Sequence, residues 1–343
     1  MASQTPNGGK WLIRYLVSGL TGLTVIGATA WGALALWYAL PATAGVRAAL
    51  ALGCVLLGLG GLLIAYFRRQ LMVPLLPFAI AFTALLIWWS TIEPRNDRQW
   101  QRDVALLPSA QINGNLVTLR NIRNFKYISE STYTPRWYDR TVDLQQLNSL
   151  DLIAVYWMGD AIAHTFLSFN FAGAYVAISI EIRKEKGESF SALAGFFRRY
   201  ELTYIVGDER DLISLRTTYR DPREDVYLYR VKAKPEKIRA LFLQYVKKIN
   251  RLNERPEFYN SATTNCTTNI VTHIEAIQRS VPLSWKMLLS GYFPDLMYER
   301  GALDQSLPFD ILRRKSLINK RARAADGFDD FSYRIRRGLP GIP

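Results

Sequence analysis

The chain has 343 residues, two cysteines and a formal net charge of +14, and 49% of its residues are hydrophobic. Two cysteines exclude a disulfide framework. Residues 93–312 carry 29 basic and 26 acidic side chains, so the positive excess lies before and after them. Without a stripe of Lys and Arg interleaved with aromatic residues, this composition argues against a nucleic-acid partner.

Three charge-free segments open the chain, Tyr15–Val46, Ala48–Phe67 and Gln70–Ile92, with lengths of 32, 20 and 23 residues. A membrane-spanning helix needs about 20 apolar residues. The pattern therefore predicts that residues 1–92 form a three-span membrane anchor.

The basic residues that flank these spans predict an orientation. Lys10 and Arg14 precede the first span, Arg68 and Arg69 lie between the second and third, and only Arg47 lies between the first and second. Because cytoplasmic loops carry the excess of Lys and Arg, we expect a cytoplasmic N-terminus and the rest of the chain outside.

The region 93–312 is predicted to be an α+β domain with an antiparallel sheet, since alternating strand patterns are followed by helical spacing. The predicted strands are Leu116–Ile128, a hairpin of His164–Phe171 and Ala174–Arg183, Thr203–Val206, Leu212–Thr217 and Val226–Val231. The predicted helices are Ile238–Leu252 and a second one that begins at Cys266. Residues 313–343 form a basic tail, for which we expect disorder or contact with anionic lipid.

Cys266 is the candidate nucleophile. Asn265 is a good N-cap, and apolar residues recur at helical spacing after it, which places Cys266 in the first helical turn. The positive end of the helix dipole lowers the pKa of a thiol there, and a nearby N–H could receive an oxyanion. The alternative is a small buried hydrophobic residue.

The candidate base is His164. His273 lies seven residues beyond Cys266 on the same helix, roughly 10 Å along its axis, and is predicted to be a polar-face or capping residue. If the hairpin turns at its Ala-Gly pair, His164 lies opposite Glu181, which would orient the imidazole. Alternatively, Glu181 is an ion-pair partner of an arginine, and a three-residue loop would turn it away from His164.

Three segments of this region resemble a known family: residues 163–169 (AHTFLSF), 178–183 (ISIEIR) and 260–269 (NSATTNCTTN). Over roughly residues 121–277 they resemble the Lnb N-terminal periplasmic domain family of bacterial membrane proteins. Members include lipoprotein N-acyltransferases, and the implied catalytic pair falls on His164 and Cys266. His before Cys, with Asn-Cys opening a helix, is also similar to the permuted papain-like fold of the lecithin:retinol acyltransferase relatives, which hold an acyl chain as a cysteine thioester.

The resemblance implies a papain-like catalytic domain on the periplasmic side of the bacterial inner membrane. It implies a thiol acyltransferase that moves an acyl chain from a phospholipid through a Cys266 thioester to the N-terminal amine of a lipid-modified lipoprotein. The alternatives are a papain-like cysteine hydrolase of the cell envelope, which uses water instead, and a non-catalytic scaffold. No oligomeric state is predicted.

Three arginines are candidates to meet a phosphate headgroup, namely Arg120, Arg123 and Arg183. As surface or ion-pair residues they would need no such role. The sequence contains no metal-ligand cluster and no Gly-rich phosphate loop, so no cofactor is expected.

Overall fold

The computed structural model describes residues 8–278, 281–282 and 284–342, and the chain divides into two compact units. The first unit is Met1–Glu93 with Phe197–Arg199, and the second is Pro94–Phe196 with Tyr200–Pro343. Residues 313–342, predicted as a separate tail, belong to the second unit.

The first unit consists of three helices, α1 (Gly8–Ala39), α2 (Ala44–Arg68) and α3 (Met72–Ser90). All three are long and apolar enough to cross a membrane, in agreement with the predicted spans. Close approach of α1 and α2 depends on Gly58, where a Cβ atom would lie 1.9 Å from the Thr29 hydroxyl. Small residues of this kind are typical of helix contacts in membranes. The side chains of Lys10 and Arg14, used for the orientation, lie outside the described residues.

The second unit is built on an eight-stranded sheet of order β1-β2-β9-β8-β7-β6-β10, in which β5 also pairs with β2. The pairing is antiparallel except between β2 and β9, which meet in parallel at one residue pair. A separate ribbon joins β3 and β4. The strands are β1 (Ser109–Asn113), β2 (Leu116–Arg123), β3 (Lys126–Tyr127), β4 (Tyr133–Thr134), β5 (Trp137–Asp143), β6 (Leu147–Tyr156), β7 (Ala163–Phe171), β8 (Ala174–Arg183), β9 (Glu201–Gly207) and β10 (Asp225–Arg230).

Helices cover both faces of this sheet, because alternate residues of each strand are apolar on opposite sides. The helices are α4 (Glu209–Ser214), α5 (Pro235–Glu254), α6 (Cys266–Glu275), α7 (Trp285–Leu288), α8 (Phe293–Glu299), α9 (Phe309–Ser316), α10 (Asn319–Ala325) and α11 (Phe331–Arg334). Leu167 of β7 packs in one hydrophobic cluster with α5, α6 and α8. Its neighbour Phe166 packs in a second hydrophobic cluster, together with α4, α10 and α11. The predicted α+β class with an antiparallel sheet is therefore confirmed.

Most predicted elements of this unit occur where the sequence pattern placed them, including both helices and the central hairpin. The strand predicted at Leu212–Thr217 is wrong. That segment lies in α4 and in a following π-helical turn, Leu215–Tyr219. Its residues 212–217 are all buried, and a short apolar segment without clear alternation fits either structure.

The disorder predicted for residues 313–343 is also wrong; Pro343 lies outside the described residues. The segment forms α10, α11 and part of α9, and it buries apolar side chains such as Ile318 and Phe331 against the sheet. Arg336 is 2% exposed and hydrogen-bonds to Asp151 and Glu209. Net charge suggested a solvated tail, whereas the apolar residues between the charges determine the packing.

Candidate active site

The site lies where two neighbouring strands separate. The ladder between β7 and β8 runs from Phe171–Ala174 to Phe166–Ser179, which is the register predicted from the Ala-Gly turn. Beyond that point β7 continues to pair with β6, and β8 continues to pair with β9. The residues that follow the last pair, His164 and Thr165 on β7 and Glu181 on β8, therefore lie at a fork in the sheet.

Cys266 is the first residue of α6, as predicted. The Asn265 side chain accepts a hydrogen bond from the Thr268 backbone N–H at 2.9 Å, so Asn265 is the N-cap. Thr267 anchors this turn to β7, where its hydroxyl lies 3.2 Å from that of Thr165. The thiol is thus held at the positive end of the helix, beside the fork.

The surroundings of the Cys266 thiol favour its thiolate form. Burial raises the pKa of this thiol, but hydrogen bonds from the His164 side chain, the charge of its imidazole, and hydrogen bonds from the Thr165 backbone and hydroxyl together lower it to about 7. The residue is 8% exposed. The thiol therefore lies at the helix N-terminus and close enough to His164 and Thr165 for both to lower its pKa.

His164 is held by two groups on β8. Its Nε2 lies 2.7 Å from the Ser179 hydroxyl and 3.1 Å from Oε1 of Glu181, and Ser179 donates to the same carboxylate oxygen at 2.7 Å. Nδ1 is left as the nitrogen that can face the Cys266 sulfur. Burial lowers the pKa of His164, but Glu181 and the Cys266 thiolate outweigh it and raise the pKa to about 9. An imidazolium beside a thiolate is the charge distribution that results.

Glu181 is fixed as an anion. Burial raises its pKa, but His164 and Arg216 hold the pKa well below its usual range. The Arg216 guanidinium lies 3.0 Å from Oε1 of Glu181. Glu181 therefore makes both predicted contacts: it lies against His164, and it also forms an ion pair with an arginine.

Sequence reasoning missed three residues of this arrangement: Ser179, Thr165 and Arg216. Ser179 could have been found, because it lies two residues before Glu181 on the same face of β8. Thr165 is fully buried next to His164, and both its backbone and its hydroxyl lower the pKa of the thiol. Arg216 comes from the segment that was predicted to be a strand, so no spacing argument could have placed it here.

Two of the three arginines proposed to bind a phosphate headgroup are buried and have partners within the protein. Arg123 is 4% exposed and pairs with Asp211 at 2.8 Å. Arg183 is 3% exposed and donates to the carbonyls of Val104 and Ala105. Internal partners therefore engage both guanidinium groups, although Arg123 also lines a cavity together with His164 and Glu181. A headgroup role for these two arginines stays a prediction.

Arg120 is exposed on β2, where it donates to Gln111 at 3.3 Å. A role for Arg120 at a headgroup stays a prediction.

His273 is a core residue and not the polar-face or capping residue that its position suggested. It is 6% exposed, and its Nε2 lies 2.7 Å from the Tyr204 hydroxyl. Burial and the nearby Lys248 lower its pKa to about 4. The neutral ring therefore serves as a hydrogen-bonding core group.

Two cavities adjoin these elements. A polar cavity of about 520 Å³ is lined by His164 and Glu181 together with Arg216 and Glu224. An apolar cavity of about 390 Å³ lies against α6, where Ile270 and other residues of its later turns line it. Ile270 follows Cys266 by about one helical turn, roughly 6 Å along the axis.

Comparison with known proteins bears on the same region. Residues 133–291 match the family model described as the Lnb N-terminal periplasmic domain. This range contains His164, Glu181 and Cys266. No curated protein and no solved structure matches the chain significantly. With its three apolar helices, the protein is a membrane-anchored periplasmic domain that is similar, over residues 133–291, to the Lnb N-terminal periplasmic domain family.

Proposed function

We propose that this protein is a thiol acyltransferase that moves an acyl chain from a phospholipid to the N-terminal amine of a lipoprotein. The observation that supports the proposal is the placement of Cys266 at the start of α6 beside β7, with His164 lowering the pKa of its thiol and with Glu181 and Ser179 contacting Nε2 of that histidine. We further propose that the protein resides in the inner membrane with its N-terminus in the cytoplasm.

In the first half-reaction the Cys266 thiolate attacks the ester carbonyl of the phospholipid. In this step the backbone N–H groups at the start of α6 stabilise the oxyanion. When the ester C–O bond breaks, the His164 imidazolium gives its proton to the departing lysophospholipid oxygen. The products are the acyl thioester on Cys266, the lysophospholipid and a neutral His164.

In the second half-reaction an amine attacks the thioester carbonyl. His164 takes a proton from the attacking nitrogen, the C–S bond breaks, and the thiolate–imidazolium pair is restored with an amide as product. The anionic Glu181 keeps the imidazole in one orientation throughout and stabilises its charged form, as the third member of a triad does.

The apolar cavity beside α6 supports an acyl substrate, since a long hydrocarbon chain attached to Cys266 needs apolar surface within a few ångströms. The cavity lies on the same side of the sheet as the thiol, because its lining residues Leu152, Leu167 and Ile270 belong to the hydrophobic cluster that includes Cys266.

Mass spectrometry of lipoprotein N-termini tests the proposal. Cells with the wild-type protein should contain N-acylated lipoproteins, and cells with Cys266→Ala should lose that modification. Cys54→Ala is the matched control, because Cys54 is the chain's second thiol and lies in α2. It should leave the acylation unchanged.

Identical N-termini in wild-type and Cys266→Ala cells would contradict acyl transfer. If the purified protein forms a Cys266 adduct that only water resolves, the thiol is that of an envelope hydrolase instead.

A further inference from the structure

The connection between β8 and β9 carries an exposed apolar segment. Residues 189–197 (SFSALAGFF) contain no charged side chain. Three large apolar residues of this segment are exposed: Phe190 is 54%, Leu193 is 45% and Phe196 is 45% exposed. Contiguous exposed apolar residues mark surfaces that bind a partner or a membrane.

The chain then enters the first unit. Phe197–Arg199 belong to that unit and not to the second. The Phe197 ring stacks on Tyr38, near the end of α1, with 5.8 Å between the ring centroids. It also meets Trp89, near the end of α3, edge-on at 6.4 Å. Because successive spans alternate in direction, the final turns of α1 and α3 lie at the same membrane surface, where Trp and Tyr side chains are enriched.

Two arginines bind the same helix ends. Arg198 donates through Nη1 to the carbonyls of Trp89 and Ile92 at 2.7 and 3.1 Å. Arg199 donates to the Tyr38 carbonyl at 3.2 Å. A cation is favourable at the C-terminus of a helix, whereas a guanidinium group is costly at the centre of a bilayer. These contacts therefore belong at the level of the headgroups and not deeper in the membrane.

We propose that residues 190–196 form a membrane-inserting loop, which enters the lipid leaflet on the side of the second unit. An extended chain spans at most about 3.6 Å per residue, so Leu193 lies within about 15 Å of Phe197. The exposed side chains of the loop then move from water into the apolar layer below the headgroups, which is favourable. A protein partner would bury the same side chains, but the direct continuation of the loop into the first unit favours lipid.

The membrane-inserting loop adjoins the candidate site. Phe190 lines the polar cavity together with His164 and Glu181, and its exposure places it at the mouth of that cavity. Further along the loop, the Ala192 carbonyl accepts a hydrogen bond at 2.6 Å from the Ser261 hydroxyl, in the segment that leads to α6. A phospholipid beside the loop is therefore close to the site. This consequence rests on the proposed function, whereas the insertion itself does not.

Site-directed spin labelling tests the insertion without measuring any activity. The full chain, in a background of Cys54→Ala and Cys266→Ala, receives one new cysteine at a time and is placed in phosphatidylcholine nanodiscs. A nitroxide on that cysteine collides with oxygen, which concentrates in lipid, and with a nickel chelate, which stays in water. At Leu193→Cys the collisions with oxygen should dominate, as at a site below the headgroups.

Two matched positions calibrate the result. Leu63→Cys replaces an apolar residue of α2 that is 58% exposed, and oxygen should dominate there. Phe328→Cys replaces an aromatic residue that is 48% exposed between α10 and α11, and the nickel chelate should dominate there. If Leu193→Cys does not fold, as judged by its thermal transition, Phe196→Cys gives the same test.

A label at Leu193 with the collision pattern of Leu63 would support the insertion. The pattern of Phe328 would overturn it, because the loop would then lie in water. A label that neither reagent reaches would also overturn it, since a second copy or a protein partner would then cover the loop. Because no readout involves acyl transfer, the insertion can fail while the proposed function stands, and the reverse.

Discussion

Two buried charged clusters lie on the same face of the sheet, and they differ in how completely their atoms are paired. One joins Asp151, Glu209 and Arg336, and the other joins His164 and Glu181. Even-numbered residues of β7 contribute to both clusters: Ser168 donates to Glu209, and His164 contacts Glu181. Four residues along a strand correspond to about 13 Å, so the clusters are close neighbours.

The Arg336 cluster is internally satisfied. Both oxygens of Asp151 and of Glu209 accept hydrogen bonds, and all three guanidinium nitrogens of Arg336 have partners. The His164 cluster instead contains a thiol and an imidazole whose shifted pKa values favour a thiolate–imidazolium pair, and a polar cavity adjoins it. The comparison indicates that closed pairing stabilises the fold, whereas open pairing beside a cavity is available for chemistry.

The largest expected effect comes from removing the imidazole. His164→Ala should slow thioester formation about 10²- to 10⁴-fold, because the thiol loses its base and its counter-ion. The measurement is the initial rate of acyl-enzyme formation. His273→Ala is the matched control for the second histidine: it should lower the thermal stability and leave the rate per folded molecule unchanged. Equal rate losses in both variants would contradict the assignment of His164.

Opening the closed cluster should affect stability instead of chemistry. Arg336→Ala leaves Glu209 buried without its cationic partner and Asp151 with Arg230 alone, and should reduce the free energy of unfolding by about 3–5 kcal/mol. Chemical denaturation of the full chain in detergent measures this change. The exposed neighbour provides the control, and Arg337→Ala should change the stability by less than about 0.5 kcal/mol. If the Arg336→Ala protein were as stable as wild type but formed the thioester more slowly, the structural role of this cluster would be contradicted.

Glu181 should determine the width of the pH profile. In the wild type, kcat/KM should rise as the Cys266 thiol ionises near pH 7 and fall as the His164 imidazolium deprotonates near pH 9. Removing the carboxylate in Glu181→Gln destabilises the imidazolium, so the basic limb should move to lower pH. The thiolate then loses its counter-ion, and the acidic limb should move to higher pH. Limbs that stay in place would show that Glu181 does not act on His164.

The smallest effect is expected at the helix cap. Asn265→Ala removes the hydrogen bond to the Thr268 N–H and should cost about 1 kcal/mol of stability. Since the first turn of α6 then frays, thioester formation should also fall. Asn265→Ser preserves a capping oxygen and should restore both quantities; failure of this rescue would argue against the cap.

The sequence predicted the parts of the site that depend on local periodicity. Period two along β7 and β8 predicted the pairing of His164 with Glu181, and the N-cap pattern placed Cys266 at the start of α6. It did not predict Arg216, because residues from an unpredicted π-helical turn reach the site through the tertiary fold. It also did not predict the packing of Arg336, since net charge gives no information on which charges find buried partners.

The pKa of Cys266 tests the central claim most directly. In the Cys54→Ala background Cys266 is the remaining thiol, and its rate of alkylation can be measured as a function of pH. The thiolate–imidazolium pair predicts a midpoint near pH 7, moving up by a unit or more in His164→Ala. A midpoint near the ordinary thiol value of about 8.5 that does not move in His164→Ala would contradict the account.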